Sequence, residues 1–229
     1  MPLSKRVSNK AKDVRHHVGV RLGGTRQAER EWRIKGPDPT YWESRNHPHR
    51  NLLADKISSF QPISILEIGC NAGPNLYRLA LRLPEARLVG IDVSKAAIDQ
   101  GKKLFSEADM HTVELEVGRA GSLDGFQDES FDVVFTDAVL IYIGADNIQA
   151  VAREMVRLAR KAIVLVEFND PGSGPRGTFI YKKGYWKRDY EGLFRESKRV
   201  KEVRSMKITE DIWPDEYWAK YGSIIEAIL

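Results

Sequence analysis

Two acidic residues and two glycines have the spacing of a nucleoside-cofactor site. An apolar run ends at Glu67, and Gly69 and Gly73 follow it. A second apolar run, about 25 residues later, ends at Asp92. This order indicates a strand, a glycine turn, a helix and a second strand that ends on an acid. Such a unit binds nucleoside cofactors at the carboxyl ends of parallel strands, so we expect an enzyme.

The glycine turn has no third glycine. A dinucleotide fingerprint places one two or three residues after the second glycine, where the pyrophosphate approaches the backbone. In this chain Pro74, Asn75 and Leu76 occupy that stretch. The spacing therefore favours a cofactor without a pyrophosphate. A nicotinamide oxidoreductase stays open as an alternative, and cofactor binding would separate the two.

Three motifs in order resemble those of the class I S-adenosylmethionine-dependent methyltransferases. The sequence reads EIGCNAG at 67–73, GIDVS at 90–94 and FDVVFTDAVL at 131–140, which match the first, second and fourth motifs of that family. The resemblance spans about residues 50–170. It implies S-adenosyl-L-methionine as the cofactor and S-adenosyl-L-homocysteine as the product.

The resemblance also implies roles for individual side chains. Glu67 would anchor the glycine turn near the methionine amino group, and Asp92 would accept hydrogen bonds from both ribose hydroxyls. Arg45 would pair with the methionine carboxylate, and Cys70 would be a small turn residue rather than a nucleophile. The expected cofactor contacts are Arg45, Glu67, Gly69, Cys70, Asn71, Gly73, Asn75, Leu76, Asp92, Val93, Ala120, Gly121, Ser122, Leu123, Asp137, Ala138 and Tyr142.

The loop at 117–123 lies where the family holds the adenine ring. Many relatives have an aspartate after the first glycine of this loop, and this chain has Arg119 there. A hydrogen bond to the adenine amine would then come from Ser122 or from a backbone carbonyl. Ala120 and Leu123 would be further contacts.

Two carboxylates are the candidates for catalysis. Asp137, after the fourth strand, would act as a base or orient the acceptor, and Glu167 at the tip of the fifth strand would receive an amine or a sugar hydroxyl. A base is needed only if the acceptor keeps a proton, as a hydroxyl does. The alternative for Glu167 is a strand-end acid paired with a lysine. We expect no metal, because His47 and His49 have no cysteine or third histidine nearby.

Apolar runs rich in β-formers alternate with amphipathic helices through the middle of the chain. The pattern predicts strands at 65–68, 87–91, 112–117, 131–136 and 162–167, and helices at 75–83, 95–106 and 146–159. A helix at 189–197 and strands near 200–208 and 223–229 follow, with no helix between those last two strands. The predicted fold is a doubly wound α/β domain. Its seven-stranded, mostly parallel sheet has an antiparallel last strand, helices on both faces and an N-terminal lid.

We expect a domain at 32–229, with an insert at about 171–222 that shapes the acceptor pocket. Aromatic residues of this insert, among them Tyr185, Trp213 and Trp218, could stack on a sugar or a flat ring or could cover the sheet edge. The segment before the first strand lies where relatives fold a lid over the cofactor.

Charge is concentrated at the N-terminus. Up to Lys35 there are ten Lys and Arg against three Asp and Glu, while the whole chain has a net charge of +4. Residues 1–31 are expected to form a basic arm, either solvated or packed against a neighbouring subunit in a homo-oligomer. Phosphate contacts are open to such an arm, but it lacks the interleaved aromatics that stack on bases. Nucleic acid is therefore a disfavoured partner.

The remaining composition is that of a cytoplasmic protein. The chain has one cysteine, and no apolar run approaches the roughly 20 residues needed to cross a bilayer. The sequence favours methyl transfer to an O or N atom of a small-molecule acceptor, such as a sugar, a saccharide precursor or an amine. An RNA- or protein-directed methyltransferase and a different nucleoside-cofactor enzyme remain the alternatives.

Overall fold

Five parallel strands form the centre of the fold. The structure is a computed structural model that describes residues 24–35, 38–180 and 183–229. In chain order the strands are β1 (Ser64–Ile68), β2 (Arg87–Asp92), β3 (Val113–Val117), β4 (Phe131–Asp137) and β5 (Ala159–Phe168). Their order in the sheet is β3-β2-β1-β4-β5. The carboxyl ends of β1, β2 and β4 therefore meet at one edge, with β1 between the other two.

Two later strands complete the sheet, and one of them is antiparallel to both of its neighbours. After β6 (Thr178–Ile180) and β7 (Tyr185–Lys187), the chain forms β8 (Glu202–Lys207) and β9 (Gly222–Ile228). Strand β9 pairs antiparallel with both β5 and β8. In the described part of the chain this gives a seven-stranded sheet ordered β3-β2-β1-β4-β5-β9-β8. The predicted fold class is confirmed.

Helices flank the sheet. They are α1 at 24–34, α2 (Pro39–Glu43), α3 (Pro48–Ser58), α4 (Pro74–Arg82), α5 (Lys95–Glu107), α6 (Ile148–Leu158), α7 (Tyr190–Arg195) and α8 (Glu216–Tyr221). Ser94 caps α5 by accepting a hydrogen bond from Ala97 N. Side chains of β1 alternate between the faces, so that Ile65 and Leu66 belong to different buried clusters. Both faces of the sheet are thus covered.

The late insert differs from the prediction in two ways. The short helix α8 lies between β8 and β9, where we expected none; Asp215 caps it by accepting from Tyr217 N and Trp218 N. Strands β6 and β7 form a separate two-stranded sheet that was not predicted. Both elements are too short for a periodic pattern to reveal them.

The N-terminal helix crosses the expected arm boundary at residue 31. Helix α1 packs on the body through Thr25, whose hydroxyl donates to Asp146 Oδ1 at 3.1 Å and accepts from Gly144 N at 3.0 Å. Ala28 is buried on the same helix. Residues 1–23 of the predicted basic arm lie outside the described residues. No helix within the described ranges has the length and hydropathy needed to span a bilayer.

Candidate active site

A cavity of about 490 Å³ opens at the carboxyl ends of β1, β2 and β4, within the usual size of small-molecule sites. Helices α1 and α2 and the start of α3 line it from the N-terminal side. Of the expected cofactor contacts, the following line the cavity: Glu67, Gly69, Cys70, Asn71, Asn75, Asp92, Val93, Ala120, Asp137, Ala138 and Tyr142. The structure does not place the others there: Arg45, Gly73, Leu76, Gly121, Ser122 and Leu123.

The turn after β1 requires glycine at its start. Gly69 has φ +76°, and a Cβ there would lie 2.3 Å from a methyl group of Val139. The amides of Gly69 and Cys70 both donate to Ile91 O, at 2.7 and 3.0 Å. These bonds hold the turn against the end of β2, and the cavity lies beside it.

Gly73 and Leu76 serve packing instead. A Cβ on Gly73 would lie 2.6 Å from the ring of Phe105 on α5, so this glycine permits helix packing. Leu76 is fully buried in the core. Their spacing in the motif correctly predicted a turn and a helix, but neither residue lines the cavity.

Asp92 lies at the end of β2 and lines the cavity. Its Oδ2 accepts from Asn71 N at 2.9 Å, and its Oδ1 accepts from Ser94 N at 2.8 Å. Burial raises the pKa of Asp92, against these backbone hydrogen bonds. Each carboxylate oxygen keeps a further acceptor site, so this residue can receive two hydroxyl groups.

Glu67, Asn75 and Asp137 form a buried polar cluster on the cavity wall. Asn75 Nδ2 lies 2.7 Å from Glu67 Oε1 and 3.0 Å from Asp137 Oδ2. Glu67 Oε2 and Asp137 Oδ1 have no hydrogen-bond partner among the described residues. Two unpartnered buried acceptors on a cavity wall call for a donor from a ligand.

Asp137 is held as a carboxylate. Its Oδ2 accepts from Arg50 Nη1 at 2.8 Å and contacts His49 Nε2 at 3.0 Å. Burial opposes ionisation, but the charges of His49 and Arg50, with hydrogen bonds from His49 and Asn75, outweigh it and hold the pKa of Asp137 well below its usual range. Such a carboxylate is a poor proton acceptor, so the structure does not favour Asp137 as the base expected from the sequence.

Glu167 lies beneath the cavity wall rather than on it. Its carboxylate is fully buried and accepts from Thr136 Oγ1 at 2.8 Å and from the amides of Val139, Leu140 and Ile141 at 2.9–3.1 Å. Burial raises its pKa to about 7, against these hydrogen bonds. Glu167 does not line the cavity and pairs with no lysine among the described residues; its hydrogen bonds fix the loop after β4.

Arg50, not Arg45, is the arginine on the cavity. Arg45 donates to Trp42 O at 3.0 Å and stacks over the rings of Trp42 and Tyr77. Arg50 donates to Ser44 O and Ser44 Oγ in addition to Asp137 and Asn75. Arg50 lies in the first turn of α3, which Pro48 starts, whereas Arg45 lies in the 3-10 helix before it.

The loop that the resemblance assigns to the adenine ring is joined by a residue that the sequence did not reveal. Gly118 and Ala120 line the cavity, while Ser122 is exposed and Leu123 belongs to the core. Arg119 donates to Glu29 Oε2 at 2.6 Å. Glu29, from α1, lines the cavity and thus brings an acid to the loop that lacks the usual aspartate.

Two histidines join the polar cluster to an aromatic wall. His47 Nδ1 lies 2.6 Å from His49 Nδ1, and the His49 ring stacks on Trp213 at 4.1 Å between centroids. The rings then continue as what we call the aromatic arc: Trp213, Trp218, Phe168, Tyr185, Tyr142 and Trp32, with successive centroids 3.9–5.8 Å apart. All of the arc but Phe168 lines the cavity.

Comparison with known proteins agrees with this geometry. A family model described as a methyltransferase domain matches residues 65–162, which run from β1 into β5. Trans-aconitate 2-methyltransferase of Variovorax paradoxus is 24% identical over 135 residues, covering 59% of this chain and 49% of that protein. The chain spans about half the length of the first curated relatives it matches.

Solved structures show the same fold. The geranyl diphosphate C-methyltransferase of Streptomyces coelicolor, solved with Mg²⁺, geranyl diphosphate and S-adenosyl-L-homocysteine, has a TM-score of 0.67 at 14% identity. The match covers 89% of this chain and 97% of that one. The cyclase SpnF has a TM-score of 0.61 at 17% identity, covering 78% and 80%.

The matched domain covers the motifs at 67–73, 90–94 and 131–140, and the fold is shared with a solved methyltransferase over 89% of this chain. Residues 65–162 thus match a methyltransferase domain, and the chain has the fold of the S-adenosylmethionine-dependent methyltransferases.

Proposed function

We propose that this protein transfers the methyl group of S-adenosyl-L-methionine to an O or N atom of an uncharged small molecule. The observation that carries the proposal is the pair of unpartnered buried oxygens, Glu67 Oε2 and Asp137 Oδ1, on the same cavity as Asp92. S-adenosyl-L-methionine has an ammonium group in its methionine part and two hydroxyl groups on its ribose. The wall has acceptors for both.

The residues present fit this cofactor. Asp92 offers acceptors for the ribose hydroxyls, and Glu67 with Asp137 offers acceptors for the methionine ammonium group. Gly69, Gly118 and Ala120 also line the cavity. Because these residues are small, they leave space for the cofactor beside the acceptor groups. When bound, S-adenosyl-L-methionine supplies an activated methyl group, and the protein's contribution is to hold donor and acceptor in line.

Charge argues for an uncharged acceptor. Arg50 is the one lysine or arginine among the described residues that line the cavity. Its donors are already directed to Ser44, Asn75 and Asp137. An acceptor with several carboxylates or a diphosphate needs free cationic partners. The acceptors named for trans-aconitate 2-methyltransferase and geranyl diphosphate C-methyltransferase are therefore poor candidates here.

The fold alone does not establish methyl transfer, since a cyclase shares it. The decisive experiment is a fluorescence titration with S-adenosyl-L-homocysteine and, separately, with NAD. Trp32 and Trp213 line the cavity and report on its occupancy. We expect saturable quenching by S-adenosyl-L-homocysteine and none by NAD at the same concentration. Quenching by NAD alone would contradict the proposal.

A further inference from the structure

The strand order sets the direction in which the nucleoside lies along the sheet. In the function proposed above, the ammonium group binds at the ends of β1 and β4, and the ribose binds at Asp92, at the end of β2. The next strand in that direction is β3. Because the ribose joins the methionine part to the base, the base extends towards the loop that follows β3. This loop begins beside Asp92, since Gly118 N donates to Asp92 O at 2.9 Å.

One acid on the cavity has no assigned role. In the described part of the chain, four acids line the cavity: Glu29, Glu67, Asp92 and Asp137. The last three are assigned to the ammonium group and the ribose. Glu29 is buried, and its Oε2 forms a salt bridge of 2.6 Å with Arg119 of the loop after β3. Glu29 therefore lies at the end of the cavity towards which the base extends.

The second oxygen of Glu29 is available to a ligand. A carboxylate accepts hydrogen bonds at both oxygens, but no described residue donates to Oε1. The exocyclic amine of adenine is a donor, and a donor that loses its water in a binding cavity needs an acceptor there. Ser122, which the sequence suggested for this role, is exposed and does not line the cavity. Glu29 is the acid that remains for the amine.

Helix α1 holds Glu29 in place. The inner face of this helix has residues at the i, i+3, i+4 and i+7 positions: Thr25, Ala28, Glu29 and Trp32. Thr25 fixes the start of the face through its hydrogen bonds with Asp146 and Gly144. Arg119 fixes the carboxylate from the opposite side. A side chain that is already ordered loses little further entropy when a ligand binds, so Glu29 is suited to select a ligand by its donor.

On the basis of the function proposed above, we infer that Glu29 Oε1 accepts a hydrogen bond from the exocyclic amine of adenine. Helix α1 thereby selects adenine over a base that lacks an amine at this position, and Arg119 is a positioning residue for the carboxylate. A Glu29 that only tied α1 to the loop would contribute little, because partly exposed ion pairs are weak. It would also leave Oε1 on the cavity without a partner.

The test compares two nucleosides by calorimetry on the full chain: S-adenosyl-L-homocysteine and its 6-deamino analogue, in which purine replaces adenine. In wild type we expect the analogue to bind about 10- to 150-fold more weakly, the range for one hydrogen bond to a charged group. Glu29→Ala should remove most of this difference. Glu29→Gln, whose amide oxygen is a neutral acceptor, should give an intermediate ratio. The matched control, Glu116→Ala, changes an exposed acid on β3 and should keep the wild-type ratio.

An equal ratio in wild type and Glu29→Ala would overturn the inference, because a residue that only holds α1 in place weakens the binding of both nucleosides by the same factor. Equal binding of the two nucleosides to wild type would overturn it as well. If Glu29→Ala does not fold, Glu29→Gln decides: a ratio below that of wild type supports the role of Glu29, and an unchanged ratio contradicts it. If wild type does not bind S-adenosyl-L-homocysteine at all, the proposed function itself fails, and the role of Glu29 with it.

Discussion

Glu67 and Asp137 are buried carboxylates that share the side-chain amide of Asn75 and hold opposite protonation states. Burial raises the pKa of Glu67 to about 8, against the hydrogen bond from Asn75. Asp137 is equally buried, but His49 and Arg50 keep its pKa well below the usual range. At neutral pH the cofactor site therefore contains one protonated acid and one carboxylate.

This difference predicts proton release on cofactor binding. A methionine ammonium group beside Glu67 favours its ionised form, so a group with a pKa near 8 loses its proton at pH 7 when the ligand binds. Affinity should accordingly rise with pH from 6 to 7.5. Calorimetry in two buffers of different ionisation enthalpy measures the released proton. Glu67→Gln should release none; equal release from both proteins would show that Glu67 is not the source.

Gly69 is predicted to be irreplaceable because of both its backbone and its surroundings. Gly69→Ala should lower the free energy of unfolding by at least about 1–2 kcal/mol, the cost of the left-handed conformation for an L-residue, with the overlap on Val139 in addition. Gly121→Ala is the matched control, since nothing lies within 4 Å of its added Cβ. Urea unfolding compares the two. Equal stability of both variants would contradict the close approach seen at Gly69.

Glu167 is predicted to act on stability rather than on the acceptor. Glu167→Ala leaves the buried amides of Leu140 and Ile141 without their acceptor, at a cost of about 1–3 kcal/mol for each unsatisfied group. Glu107→Ala, which removes an exposed acid 3.8 Å from Lys103, should cost under about 1 kcal/mol. Thermal unfolding measures both. If Glu167→Ala were as stable as wild type but had a raised KM for the acceptor, Glu167 would contact the acceptor, as expected from the sequence.

The sequence predicted those parts of the site that depend on local patterns. Glu67 and Asp92 follow from strand ends, and the mostly parallel sheet with helices on both faces follows from the alternation of strands and helices. Glu29, His49 and Trp213 depend on packing between segments that are far apart in the chain, so no local pattern reveals that they share one cavity.

Local sequence also does not reveal which of two nearby residues reaches the cavity. Arg45 and Arg50 are five residues apart, and the residue types around them do not indicate which arginine faces the cavity. The start of α3 at Pro48 decides it, and element boundaries are the least certain part of a sequence reading. Asp137 and Glu167 end neighbouring strands, β4 and β5, but only the first reaches the cavity because the loop after β4 covers the second.

The most direct test of the account is a calorimetric titration of wild type, Asp92→Ala and Asp99→Ala with S-adenosyl-L-homocysteine. Asp99 is an exposed acid on the next helix, paired with Lys95, and serves as the matched control. We predict that Asp92→Ala weakens binding by about 1.5–3 kcal/mol, or roughly 10- to 150-fold in Kd, while Asp99→Ala binds as wild type does. Unchanged affinity in a folded Asp92→Ala would contradict the placement of the nucleoside in this cavity.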